Sequence, residues 1–314
     1  MKKFSVSLLS SLLLAAVSHG CDLCSLYVPP DEPAAGVTVA LAEQYTHLGT
    51  LWSGADRQPN PGGQYLDSST TQLTLVYRPA GPWQFQATLP WIHRRFRRAG
   101  HFVFENGAVA GLGDATLAAR FAAWQHDDGN QSFTASLLGG IKFATGDSDH
   151  LGDELTHAEH HHAGFPDSGV HGHDLALGNG AVDFIYGGDL SWRRGPWLAR
   201  ASLQYKDHRP GSFGYRLADE TSWDIAAGRS VTIGGAPVTL QALFTAEHKG
   251  LDTLGGDPQD DTGYSIRYFG ARITANFRNR INVEAAFEMP VWRRTTALMA
   301  APDYRVRTSF TWRL

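Results

Sequence analysis

From residue 37 onward, apolar and polar side chains alternate with a period of two, the pattern of strands whose two faces meet different surroundings. In the last segment Tyr304, Val306, Thr308, Phe310, Trp312 and Leu314 share one face. Arg305, Arg307, Ser309, Thr311 and Arg313 share the other. The same division separates Trp197, Ala199, Ala201, Leu203 and Tyr205 from Leu198, Arg200, Ser202, Gln204 and Lys206.

About twelve such segments are predicted: 37–49, 66–78, 83–93, 114–125, 132–145, 181–193, 197–207, 221–233, 238–247, 264–277, 281–292 and 304–314. Their connections alternate in length. Residues 79–82, 126–131, 194–196, 234–236 and 278–280 form short ones, whereas 52–64, 94–113, 147–180, 207–214, 248–263 and 293–302 form mostly longer ones. Short periplasmic turns, longer external loops and an even number of strands of about nine to eleven residues describe a transmembrane antiparallel up-and-down β-barrel. The expected fold class is therefore all-β.

The polar faces carry full charges at Arg78, Arg120, Lys142, Arg200, Lys206, Arg272 and Glu284, with Asp183, Asp189 and Glu288 of opposite sign to the cations. A dry sandwich core would not hold them, and a lumen does. This mixture predicts an ion-paired interior narrower than an open porin, filled by side chains or loops. Trp83, Trp124, Trp192, Trp197 and Trp312 fall near the short-turn rim, and Trp52, Trp91 and Trp292 near the long-loop rim, as two aromatic girdles would. The run His93–Arg98 is expected at the base of an external loop, facing either water or the phosphates of outer-leaflet lipid and lipopolysaccharide.

Upstream, Lys2 and Lys3 precede an apolar stretch from Phe4 to Val17 and the small residues Ser18 and Gly20, so residues 1–20 read as an export signal. Residues 21–36 then form a periplasmic N-terminal segment and residues 37–314 the barrel. The two cysteines of the chain, Cys21 and Cys24, lie in a C-x-x-C spacing. A local disulfide, a thiolate metal or redox site, and lipidation of Cys21 all fit them. With charged residues at 18%, against about 25% in soluble domains, and a net charge of -4, nothing in the composition calls for nucleic acid.

Three stretches carry a resemblance: Gly111-Leu112-Gly113-Asp114; Gly139-Gly140-Ile141-Lys142-Phe143-Ala144-Thr145-Gly146-Asp147; and Leu177-Gly178-Asn179-Gly180-Ala181-Val182-Asp183-Phe184. In them the chain resembles the outer-membrane barrel family associated with the MetA pathway of phenol degradation, a group often called transporters. The resemblance implies an outer-membrane barrel that passes small molecules, often hydrophobic ones.

The candidate chemistry is concentrated in one connection. His150, His157, His160, His161, His162, His171 and His173 are half of the 14 histidines, and carboxylates including Asp153, Glu154 and Asp174 accompany them. Neutral imidazoles and carboxylates ligate divalent transition metals such as zinc or copper, and Cys21 and Cys24 add thiolates on the periplasmic side. His157, His160 and His161 would share a helical face, and His171 and His173 one side of an extended segment. No cofactor is required.

No Gly-x-Ser-x-Gly elbow, His-Glu-x-x-His pair or phosphate loop occurs, so no enzyme activity is expected. His93, or His208 with Ser212, would be the residues of a barrel hydrolase. The sequence thus points to an outer-membrane channel or passive transporter for a small solute or metal ion, metal-linked through the His-rich loop. The alternatives are an uptake barrel for hydrophobic or aromatic compounds, and a surface protein that transports nothing.

Overall fold

The computed structural model describes residues 35–100, 103–157, 166–277 and 280–314. The expected export signal, Cys21, Cys24, His160, His161 and His162 lie outside the described residues.

Twelve antiparallel strands close into a barrel. They are β1 (Gly36–Leu48), β2 (Tyr65–Arg78), β3 (Trp83–Ala99), β4 (in two pieces, Phe104–Leu112 and Thr116–Asp127), β5 (Gln131–Lys142) and β6 (Asp183–Arg194). The second half comprises β7 (Trp197–Asp207), β8 (Glu220–Ile233), β9 (Ala236–Lys249), β10 (Tyr264–Phe277), β11 (Ile281–Thr295) and β12 (Tyr304–Arg313). Each strand pairs with its sequence neighbours, and β1 pairs with β12 from Thr38↔Arg313 to His47↔Tyr304, which closes the barrel. The short turns suit this right-twisted geometry. Between Ile233 and Ala236 the two-residue loop Gly234-Gly235 takes φ values of 59° and 82°, a conformation that residues with a Cβ rarely adopt.

Alternation sorts the faces as the sequence implies. Leu73, Leu137, Leu203, Leu240, Phe269 and Phe310 stand on the outside, each about half exposed, and form the apolar belt that lipid covers. Trp83, Trp124, Trp192, Trp197 and Trp312 are exposed at the short-turn rim. Glu43 also points outward, where the hydroxyls of Ser69 and Thr71 on β2 donate to its two oxygens.

The inner face is ion-paired. Arg120 on β4 donates to Asp189 on β6 from Nε at 2.8 Å and from Nη2 at 2.5 Å, and Lys206 lies 2.7 Å from Glu220. Arg305, fully buried, reaches Glu247 at 2.7 Å and Glu288 at 3.2 Å. The partners are neighbours on the same inner face, with Lys206 directly opposite Glu220 and Arg305 opposite Glu288, so burial of the charges is offset by attraction at low dielectric.

Three expectations need correction. Residues 94–113 do not form a loop: β3 runs on to Ala99 and β4 starts at Phe104, making a hairpin that rises above the barrel. The alternation of inward Ile92, Arg94 and Phe96 with outward Trp91, His93 and Arg95 continues through the supposed loop, and pairing with Phe104–Leu112 satisfies its backbone. Trp52 does not join a girdle; it lies in a short loop strand, Thr50–Ser53, with the Arg293 guanidinium 4.7 Å from its ring centroid. The basic run is largely consumed by the protein. Arg97 donates to the Gly62 carbonyl at 2.7 Å, Arg98 to Glu105 at 3.0 Å, and Arg94 points inward.

Candidate functional site

The described parts of the connection between β5 and β6, residues 143–157 and 166–182, fold into the mouth of the barrel instead of projecting from it. Leu151, Val170, Leu175 and Leu177 are all at most 5% exposed. Val170 and Leu175 join Leu51, Leu66, Phe96 and Ala300 in an apolar cluster that ties the loop to the wall and to two neighbouring loops. Burial of these side chains supplies the driving force for the inward fold.

Polar contacts fix its position. The Arg94 guanidinium, buried in the wall, donates from Nη1 to the carbonyls of Asp174 at 2.7 Å and Ala176 at 2.5 Å. Gln64 donates to the Asp167 carbonyl at 2.9 Å and accepts from the Gly169 N–H at 3.0 Å.

The three stretches behind the family resemblance converge at the root of this plug. The Asp114 carboxylate accepts from Lys142 Nζ at 2.7 Å, from the Gly146 N–H at 2.9 Å and from the Thr145 N–H at 3.1 Å. Asn179 donates to Asp183 at 2.8 Å and accepts from Lys142 at 3.0 Å. The two ends of the loop touch here backbone to backbone. A Cβ on Gly146 would lie 2.7 Å from the Leu177 oxygen, and one on Gly178 would lie 2.6 Å from an Asp114 oxygen. Glycine is required at both places by this close approach.

From this root a charged chain runs along the lumen. Lys142 lies 2.8 Å from Asp183, Asp183 lies 2.7 Å from His208 Nδ1, and His208 Nε2 lies 3.5 Å from Glu220. Burial opposes charge on His208, but the facing Glu220 and Asp183 carboxylates outweigh it and raise its pKa above the ordinary imidazole value. The sequence had singled out His208 with Ser212. Here the His208 ring engages Asp183, and the Ser212 hydroxyl is hydrogen-bonded to that of Ser148 at 2.8 Å. His93 stands on the outer face of β3.

Between plug and wall lies a cavity of about 110 Å³. Pro90, Ile92, Leu177, Ile185 and Leu217 give it apolar walls, and Arg94, Lys142, Lys206, His208 and Glu220 give it charged ones. His173 and Asp174 of the plug reach it as well.

Of the four predicted metal-ligating residues among the described residues, His150, His157, His171 and His173, the structure brings two together. His171, His173 and Asp174 present donor atoms that all lie within 4.8 Å of one another. The segment bends here instead of running as a strand, yet the two rings still stack, with centroids 5.5 Å apart. His150 turns to Asp153, 3.2 Å from its Nδ1. His157 ends a helix of a single turn, Glu154–His157, and the rest of the expected helical face lies outside the described residues.

Sequence reasoning missed what surrounds the pair. His173 Nδ1 is 3.0 Å from Glu154, which also accepts the His173 N–H at 2.7 Å. Burial works against charge on both groups, but their pairing overrides it. With Asp174 also facing the ring, the His173 pKa is raised to about 9, and that of Glu154 is lowered to about 2.

No protein-family model and no curated protein matches the chain. Among solved structures, the COG4313 outer membrane channel from Pseudomonas putida F1 superposes with a TM-score of 0.63 at 14% identity, over 92% of this chain and all of that one. The beta domain of the Bordetella autotransporter BrkA aligns at TM-score 0.47 and 13% identity, over 90% of this chain and all of that one. For the porin NanC the TM-score is 0.43 at 8% identity, over 88% of this chain and all of that one. The first likeness, with the lipid-facing belt and aromatic rim, identifies the fold as that of a Gram-negative outer-membrane β-barrel.

Proposed function

We propose that this barrel is an outer-membrane channel for a small solute, held closed by the plug that residues 143–157 and 166–182 form and opened when that plug leaves the mouth. The observation that carries the reading is the inward fold of the loop, docked on the wall by Arg94 and rooted at Asp114. Ligand pockets for drug-sized molecules run from about 300 Å³ upward, and the cavity left beside the plug is about 110 Å³. On this reading a drug-sized solute passes when the plug moves.

The convergence of the three resemblance motifs around Asp114 and Lys142 supports kinship with the MetA-pathway barrels, because those residues build the plug's root. The apolar walls at Pro90, Ile92 and Ile185 favour a second reading of the cargo, a hydrophobic or aromatic compound that rests in the cavity during passage. The charged groups that share the cavity are already paired, Lys142 with Asp114 and Asp183 and Lys206 with Glu220, so they favour a polar end on the solute and give no preference for an anion.

The test is solute flux into liposomes containing the folded barrel, with neutral and anionic solutes of increasing size. Wild-type barrel is expected to be slow, and Arg94→Ala faster for the smallest solutes. Equal, rapid flux through both would contradict a plug that gates passage.

A further inference from the structure

We propose that the plug contains a built site for a divalent transition metal, formed by His171 Nδ1, His173 Nε2 and the Asp174 carboxylate, distinct from the histidine run at 157–162. The Asp174 oxygens lie 3.5 Å from His173 Nε2 and 3.9 Å from His171 Nδ1. With zinc held about 2.0–2.2 Å from nitrogen and oxygen ligands in tetrahedral geometry, neighbouring ligand atoms sit about 3.2–3.5 Å apart. These two spacings approach that range, and with all three donor atoms within 4.8 Å of one another, side-chain rotation on binding would close the remainder.

The arrangement behind the ligands sets it apart from a chance cluster. Each imidazole turns one nitrogen toward Asp174 and the other toward an outer carboxylate: His173 Nδ1 is 3.0 Å from Glu154, and His171 Nε2 is 3.4 Å from Asp261. Metal-bound histidines are held in the same way, the far N–H given to a carboxylate that fixes the tautomer and strengthens the ligating nitrogen.

Both inward nitrogens are buried and find no hydrogen-bond partner among the described residues, and the His173 side chain is 3% exposed. An unpartnered buried ring nitrogen is costly, and a cation among these three groups would satisfy both.

Two imidazoles and one carboxylate suit zinc, copper or nickel ions better than calcium or magnesium. His173 and Asp174 border the cavity, which leaves a fourth position for water or an arriving ligand. Lys249, facing the same cavity, is neutralised by Asp252 at 2.7 Å. An ion here would bind the Glu154 helix, the plug and the loop bearing Asp261 into one unit. That consequence for opening rests on the channel reading, whereas metal binding does not.

The experiment is zinc titration of the full-length folded barrel, without an affinity tag, by equilibrium dialysis and by the visible spectrum of cobalt as a substitute. Folding of every variant is checked by heat-modifiable gel mobility. One tight equivalent is expected in the wild type and in a variant with His157, His160, His161 and His162 all changed to Ala. It is expected to vanish in His171→Ala and in Asp174→Asn, and to weaken about 10- to 100-fold in Glu154→Gln. Tight binding that survives His171→Ala and Asp174→Asn, binding lost with the 157–162 run, or no tight binding at all would each overturn the site. None of these results bears on whether the barrel conducts.

Discussion

Arg94 on β3 and Ala176 in the plug meet at 2.5 Å, guanidinium to carbonyl, although 82 residues separate them in the chain. This contact and its twin to Asp174 join the wall to the loop that fills it. Arg94→Ala strands two carbonyls, each worth about 1–3 kcal/mol if left unsatisfied. Hydrogen exchange within residues 143–182 is expected to accelerate while the strand amides stay protected. Unchanged exchange in the loop would show that Arg94 does not hold the plug.

Arg305 sits between Glu247 and Glu288 with its side chain fully buried in the lumen wall. Arg305→Leu leaves two carboxylates facing one another without that cation, and loss of one partner from a buried ion pair costs about 3–5 kcal/mol. The urea midpoint of the folded barrel is expected to fall by a corresponding amount, with heat-modifiable mobility retained at low urea. A midpoint within error of the wild type would mean that water or Arg307, 2.5 Å from Glu288, compensates fully.

Leu203 lies on the outer face of β7 and is 51% exposed. Leu203→Arg puts a cation into lipid at a cost of about 2–4 kcal/mol near the midplane, whereas the neighbouring inward position, Gln204, is expected to accept Arg more readily. Folding titrations of both variants in lipid vesicles check the assignment of faces. Equal penalties at the two positions would contradict it.

His208 gives the mouth a pH dependence. Its pKa is raised in the folded protein by Glu220 and Asp183 against the effect of burial. A raised imidazole pKa contributes stability that is complete below about 6.5 and disappears as pH rises through the folded value. Barrel stability is therefore expected to decline as pH rises above about 6.5, and His208→Gln to flatten that decline relative to wild type. Parallel profiles for the two proteins would remove His208 from the account.

The strands were legible because a membrane barrel imposes a different solvent on each face, and Trp312, Thr311, Phe310 and Ser309 record that difference residue by residue. The hairpin extending β3 and β4 was also written in the alternation of Ile92, Arg94 and Phe96, but the density of arginine there imitates a solvated loop. The inward fold of the plug was not legible. It depends on Val170 and Leu175 finding Leu66 on β2 and Leu51 and Ala300 from two other loops, distant partners that no local pattern announces.

For the candidate metal site, the spacing of His171 and His173 was the usable signal. Their outer carboxylates, Glu154 and Asp261, lie 19 residues upstream of His173 and 90 residues downstream of His171, and tertiary structure alone reveals that they belong together.

The most direct test of the plugged-channel account is single-channel conductance in planar bilayers of the wild-type barrel and of a variant in which residues 149–174 are replaced by a short Gly/Ser linker. The account predicts a small, intermittently opening conductance for the wild type and a larger, steadily open one for the shortened variant. A shortened variant that folds but conducts no better than the wild type would contradict it.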